Sequence, residues 1–139
     1  MGPTSEARPF FDTNILVYVT SQDPARAGAA RDLLAGGGIV SVQVLNEFTS
    51  VARRKLGFTW DELREFIGII CSNNEVVPVT LETHEKGRAL AERFRLNIFD
   101  GLIIAAAQLA GCTILYSEDM HHGLTIDGLS IRNPFVARS

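Results

Sequence analysis

The stretch Pro9-Phe10-Phe11-Asp12-Thr13-Asn14-Ile15-Leu16-Val17-Tyr18 decides how the chain is read. Two aromatic residues followed by a carboxylate describe a short buried strand that ends at Asp12. A turn is expected at Asp12-Thr13-Asn14, with a helical start in the apolar run Ile15-Leu16-Val17-Tyr18. A carboxylate at the end of a buried first strand raises the question of which other elements share its edge.

Working outward, Asp23-Pro24 is a helix-start signal, and Ala25 to Ala35 favours helix until Gly36-Gly37-Gly38 stops it. Ile39-Val40-Ser41 reads as a second strand. A helix from about Val42 to Leu56 follows, with Val44, Leu45, Phe48, Val51 and Ala52 on one face. Thr59 with Glu62 forms a capping box for a further helix with an apolar stripe of Leu63, Phe66, Ile67 and Ile70. Val76 to Val79 gives a third strand, Thr80 opens a helix through about Phe94, and Asp100 opens another through Ala110. The run Leu102 to Ala107 in that last helix is apolar enough to belong at the centre of the molecule. Thr113-Ile114-Leu115-Tyr116 is a strand of the fully buried type, and Leu129-Ser130-Ile131 is a final β-like stretch. Strands alternating with helices imply an α/β fold with a central, mostly parallel sheet covered on both faces. Ligands bind such sheets at the carboxyl ends of their strands.

Composition sets the bounds. A chain of 139 residues with 46% hydrophobic and 21% charged side chains fits one domain over residues 1–139, large enough to need no disulfide or structural metal. A net charge of −3 excludes nucleic-acid binding through bulk positive charge. Cys71 and Cys112 have apolar neighbours and no ligand spacing, so both are expected as reduced core thiols. Met1 to Arg8 has no apolar signal core and no run is long enough to span a membrane, so a cytoplasmic protein is expected.

The parallel sheet gathers acids. Asp12 ends the first strand, Asp119 follows the Thr113–Tyr116 strand, and Asp100 begins the most buried helix. Glu47 lies one turn into the helix after the second strand, on the flank of its apolar stripe, within reach of the same crevice. Individually, Asp12 reads equally as an Asx turn, Asp100 as a helix cap, Glu47 as a solvated helix residue and Asp119 as a loop acid. Jointly, four carboxylates at one edge repel one another unless a cation lies among them. Oxygen-only ligands suit Mg²⁺ or Mn²⁺ rather than Zn²⁺. A metal so held lowers the pKa of a water and neutralises charge on a phosphodiester.

Four segments together, Phe11-Asp12-Thr13-Asn14-Ile15-Leu16, Asn46-Glu47-Phe48, Phe99-Asp100-Gly101-Leu102-Ile103-Ile104-Ala105-Ala106 and Ser117-Glu118-Asp119-Met120, resemble the PIN-domain family, and within it the VapC-type ribonuclease toxins of toxin–antitoxin pairs. The resemblance spans essentially the whole chain. It implies a three-layer α/β/α sandwich, a Mg²⁺- or Mn²⁺-dependent endoribonuclease, a homodimer, and a small antitoxin that lays a segment over the acidic groove. Asp12, Glu47, Asp100 and Asp119 match its acidic quartet. Asn14 and Ser117 match polar positions that orient ligands or water. Glu118 stands beside Asp119, so either acid is open as the fourth; the family's pattern of a small hydroxyl residue, any residue, then an acid favours Asp119. The resemblance leaves two other readings open: a PIN-fold nuclease acting in RNA processing or on DNA without an antitoxin, and a non-catalytic RNA- or protein-binding module.

Other features were weighed for function. Gly36-Gly37-Gly38 lacks the Lys-Ser/Thr of a phosphate loop and reads as a helix stop. His121-His122 reads as a solvated loop, with His121 able to meet substrate. A phosphotransfer reading of Asp12-Thr13-Asn14 lacks the second Asp, which is Asn14 here. Arg53 and Arg54, with Lys55, either complement the helix dipole or grip RNA phosphates, and Arg88, Arg93 and Arg95 carry the same two readings. Trp60, Phe66 and Ile67 lie in the helix pair that in the family clamps the antitoxin, and Tyr18 and Phe135 fit either a dimer surface or the core.

Overall fold

The computed structural model describes residues 8–120 and 122–135. Strand β1 (Phe10–Phe11) leads into α1 (Thr13–Val19), then α2 (Pro24–Ala35), β2 (Ile39–Ser41), α3 (Val42–Arg54) and α4 (Trp60–Asn73). The second half runs β3 (Glu75–Val77), α5 (Leu81–Phe94), α6 (Ile98–Leu109), β4 (Ile114–Tyr116), β5 (Thr125–Ile126) and β6 (Leu129–Arg132).

The sheet has the order β3-β2-β1-β4-β6-β5, all parallel except β5 against β6. The chain steps outward from β1 through β2 to β3 and then returns to the other side of β1 as β4. The strand order therefore reverses between β1 and β4, and the crevice at the carboxyl ends of these two strands is the expected ligand position. Phe10 pairs with Leu115 and Phe11 with Tyr116, so Asp12 and Ser117 leave the sheet side by side. Helices α1 to α4 pack on one another and α5 packs along α6, which supplies the helical layers of the sandwich. Phe10, Phe11, Leu115 and Ile131 are fully buried between these layers.

Local signals explain most helix starts. Asp12, Asp23, Ser41, Thr59 and Thr80 each accept a backbone N–H at a helix N-terminus, and Thr59 with Glu62 completes the expected capping box. The α5–α6 seam has a different cause. A Cβ on Gly101 would stand 2.4 Å from the Gly87 carbonyl oxygen, so the two helices meet at a distance only hydrogen atoms allow.

Several expectations are corrected. The turn at Asp12-Thr13-Asn14 is the first turn of α1, with Asp12 as its cap. The last long helix opens at Ile98 with Asn97 as its cap, so Asp100 lies within the first turn rather than beginning it. The third strand is Glu75–Val77 rather than Val76 to Val79. Strand β5 was not expected; it forms a hairpin with β6 through Asp127-Gly128, both at positive φ as a tight two-residue turn requires. Cys71 is exposed, whereas Cys112 is buried as expected and burial pushes its thiol up to about 11. Cys71 lies one residue beyond the buried Ile70, and one step along a helix rotates a side chain by about 100° away from the core. Met1 to Ala7 and His121 lie outside the described residues.

Candidate active site

Asp12 sits at the bottom of the crevice and is almost completely buried. Both carboxylate oxygens are fixed: the Thr13 backbone N–H donates to Oδ1 and the Ser117 hydroxyl to Oδ2, each at 2.7 Å. Ser117 is itself fully buried, so its role is to orient Asp12 from the neighbouring strand end. Glu47 is held in the same manner, with Thr13 Oγ1 donating to Oε1 at 2.8 Å and Gln43 Nε2 donating to Oε2 at 3.0 Å. Thr13 therefore ties α3 to the β1–α1 junction, a link that sequence alone did not indicate.

Asp12, Glu47, Asp100 and Asp119 line one cleft together with Thr13, Asn14 and Arg54. The cleft continues past Glu47, Ser50, Asp100 and Asp119 into a second lobe lined by Gln43, Asn46, Asn97 and Phe99. The acids feel one another. Burial pushes the Asp12 carboxyl up to about 7 against its two hydrogen bonds, and the negative charges of Glu47 and Asp100 push the same way. Burial also raises Asp100, with Asp119 and then Glu47 adding to the effect. Burial is the larger cause at both acids, and the neighbouring negative charges add to it.

Such a donor set fits a hard divalent cation, because it offers only oxygens and its ionised form is unfavourable without added positive charge. Among the described residues, no three acidic, histidine or cysteine side chains stand close enough to enclose an ion by themselves. Mg²⁺ needs no such cage, since it retains several waters and takes only one or two carboxylates. Asp12 and Asp100, with Glu47 and Asp119 beside them, are the residues that would hold it.

The two adjacent acids of the Ser117-Glu118-Asp119 segment have different surroundings. Glu118 accepts from the Tyr18 hydroxyl and from Arg26 Nη1, and its backbone N–H donates to Asn14 Oδ1 at 3.2 Å. Burial alone would raise its carboxyl, but the Tyr18 and Arg26 contacts outweigh that and hold it low. The Arg26 guanidinium also lies over Tyr18 and Phe135, 4.9 and 5.4 Å from their ring centres. Glu118 thus lines the first lobe while engaged by Tyr18 and Arg26, whereas Asp119 lines both lobes of the cleft and acts electrostatically on Asp100. Sequence reading missed Arg26 and Gln43; the first lies 92 residues from Glu118, and the second was hidden among ordinary helix polar positions.

The arginines separate as well. Arg54 lines the cleft and its Nε donates to Ser50 Oγ at 3.0 Å. Arg53 turns the other way, donating to the Phe58 carbonyl at 2.6 Å and covering the Trp60 ring at 4.4 Å. Arg93 pairs with Asp127 at 3.2 Å, while Arg88 and Arg95 are exposed on α5 and its end. His122 accepts from the Asn133 backbone N–H at 2.9 Å, which is a loop-fixing contact. Phe66 stacks on Phe48 at 4.7 Å in the core, Ile67 is partly buried, and Trp60 is exposed.

The same architecture occurs in solved structures. VapC20 of Mycobacterium tuberculosis, described as a sarcin–ricin-loop-cleaving toxin, superposes with a TM-score of 0.67 at 22% identity, over 80% of this chain and 89% of that one. A toxin–antitoxin complex from Klebsiella pneumoniae gives 0.70 at 21% identity, over 91% and 98%. VapBC2 of Rickettsia felis, bound to a promoter DNA fragment, gives 0.64 at 22% identity, over 90% and 97%. No curated protein sequence matches. Residues 10–122 match the PIN domain family, with the acids at the positions where the fold opens its crevice, and the chain belongs to that family.

Proposed function

We propose that this chain is a Mg²⁺- or Mn²⁺-dependent endoribonuclease, the toxin of a toxin–antitoxin pair, working in the cytoplasm as a homodimer of single-domain chains. The observation that carries the reading is the gathering of Asp12, Glu47, Asp100 and Asp119 around one cleft at the point where the strand order reverses. Membership of the PIN family and likeness to VapC structures support the nuclease and antitoxin parts. Among the described residues no helix is long and apolar enough to cross a membrane.

In this mechanism Asp12 and Asp100 would hold a divalent ion, with Glu47 or Asp119 completing its shell or taking a proton from the attacking water at its carboxylate. The chemistry such an ion would supply is a water of lowered pKa and neutralisation of charge on the phosphate oxygens. Ser117 and Thr13 fix the carboxylates that do this work, and Asn14 steadies the Glu118 backbone beside them. Arg54, at the cleft wall, would meet a phosphate, and Arg53 would touch the strand only beyond the cleft, where its guanidinium is also held by the Phe58 carbonyl and the Trp60 ring. The antitoxin would cover the cleft and the α3–α4 side.

The test is purified protein with a panel of transfer, ribosomal and messenger RNA, in Mg²⁺, in Mn²⁺ and in chelator. Cutting is expected only with metal, and is expected to vanish in Asp12→Asn and Asp100→Asn. Full activity in Asp12→Asn would overturn the assignment.

A further inference from the structure

The second lobe differs in chemistry from the first. Beyond the shared wall of Glu47, Ser50, Asp100 and Asp119, its lining is Gln43, Asn46, Asn97 and Phe99, with no lysine or arginine among the described residues. The first lobe, by contrast, carries Arg54. Away from the acids it shares with the first lobe, a phosphate entering the second lobe would meet only neutral side chains. A flat, neutral, hydrogen-bonding group is what this lining suits.

We infer that the second lobe is a nucleobase subsite, in which one unstacked base of single-stranded RNA stacks on Phe99 and is hydrogen-bonded by Gln43, Asn46 and Asn97. The inference rests on the nuclease reading above and adds to it how substrate is held. Phe99 leaves 51% of its surface exposed, although it lies in the first turn of α6, an otherwise largely buried helix. Its position is set rigidly: the Phe99 backbone N–H donates to the Asn97 side chain at 2.8 Å, within the first turn of α6. The next residue is Asp100, so the ring stands at the edge of the acidic centre. Gln43, Asn46 and Ser50 share the face of α3 that carries Glu47, since residues three, four and seven apart line up on a helix. Gln43 uses its Nε2 on Glu47 and Asn97 uses its Oδ1 on Phe99, which leaves the Gln43 carbonyl and the Asn97 amide N–H facing a ligand. Aromatic stacking with amide contacts to base edges is how single-stranded RNA is read, because its bases can be splayed out of the strand. The cleft thus takes a phosphate on the Arg54 side and a base on the Phe99 side, with the acids between.

The test uses the full chain and short single-stranded RNA oligonucleotides, each carrying one abasic ribose at a successive position, with binding and cutting measured separately. Removing the base at one position weakens wild-type binding about tenfold, the size expected for a single stacked base. Phe99→Leu weakens binding of the intact oligonucleotide by the same factor, read in Kd apart from the rate of cutting. The two losses do not multiply, because both remove one interaction. Phe99→Trp restores affinity. If wild type binds and cuts while Phe99→Leu does both unchanged, the subsite is wrong and the nuclease reading stands. If wild type cuts nothing but Phe99→Leu still loses affinity at one base, the nuclease reading falls and the subsite stands. Losses that multiply, or an altered dimer mass in Phe99→Leu with unaltered RNA kinetics, would overturn the subsite, the latter by assigning Phe99 to contact between copies.

Discussion

Asp100 and Gly101 are neighbours in sequence and belong to opposite kinds of environment. Asp100 faces a cleft where burial, and then the neighbouring carboxylates, raise its pKa, while Gly101 faces a seam with no room for a methyl group. The cleft is a region where folding is opposed by desolvated, like-charged groups; the seam is one where close packing favours it. A single helix, α6, joins the two, so packing against α5 fixes the first turn that presents Asp100. The contrast explains how a cluster that would otherwise relax apart is kept together. It also predicts that substitutions at the two places change stability in opposite directions.

The largest effect is expected at Asp12. Its pKa in the folded protein is about 7 against 3.8 for the free side chain, so between these values the folded state holds a proton that the unfolded chain has released. Stability then falls as pH rises from about 4 to about 7, and the cost is complete above that. Asp12→Asn cannot ionise, keeps an oxygen for the Thr13 N–H and offers its amide to Ser117. In chelator it should be more stable than wild type by up to about 4 kcal/mol at pH 8, the equivalent of a shift of roughly three pH units, and no more stable below pH 4. Urea unfolding at the two pH values measures this. A destabilised Asn variant at pH 8 would mean that the cleft is not under electrostatic strain.

The opposite sign is expected at the seam. Gly101→Ala gains about 1 kcal/mol of helix propensity but forces a Cβ to within 2.4 Å of the Gly87 carbonyl, and overpacking of this kind costs about 1–3 kcal/mol or more. A net loss is expected, with reduced RNA cutting as Asp100 shifts. Gly68 in α4 is the control: a Cβ there meets nothing within 4 Å, so Gly68→Ala should stabilise by about 0.5–1 kcal/mol. Thermal unfolding of the two alanine variants separates propensity from packing. Equal shifts in both would remove the seam's role in holding the acid.

The same contrast marks what the sequence could carry. Asp12 was legible because a strand and a cap are local events, and the quartet was legible because parallel strands put their carboxyl ends on one edge. Asn97 and Asp100 are both residues that cap helices, and the one used is Asn97, whose side chain accepts the Phe99 N–H. The Asp127-Gly128 turn was present as a signal, yet the two-residue strand before it is too short to show alternation. The Gly87–Gly101 contact and the Arg26–Glu118 pair depend on tertiary approach and leave no local trace. The exposure of Phe99 left no signal either, since an aromatic in the first turn of so apolar a helix reads as core.

The smallest effect separates the two adjacent acids. Glu118 is held low chiefly by Tyr18 and Arg26 in opposition to burial, so its contribution to stability is present above the ordinary glutamate value of 4.5 and is lost as pH falls through the lower folded value. Arg26 is partly open to solvent, with 38% of its side chain exposed, so screening keeps the pair's contribution small. Arg26→Met should therefore lose little stability at pH 7, and that loss should shrink as pH falls through the lowered Glu118 value, as read by urea unfolding. Its effect on cutting tests the division between the acids. Because Glu118 is tied to α1 and α2 rather than to Asp100, releasing it should leave the metal dependence of RNA cutting close to that of wild type, whereas Asp119→Asn should raise the Mg²⁺ concentration needed for half-maximal activity. If Arg26→Met and Glu118→Gln shift that concentration while Asp119→Asn does not, Glu118 is the fourth acid and the cleft is ordered around Tyr18 instead of around Asp100.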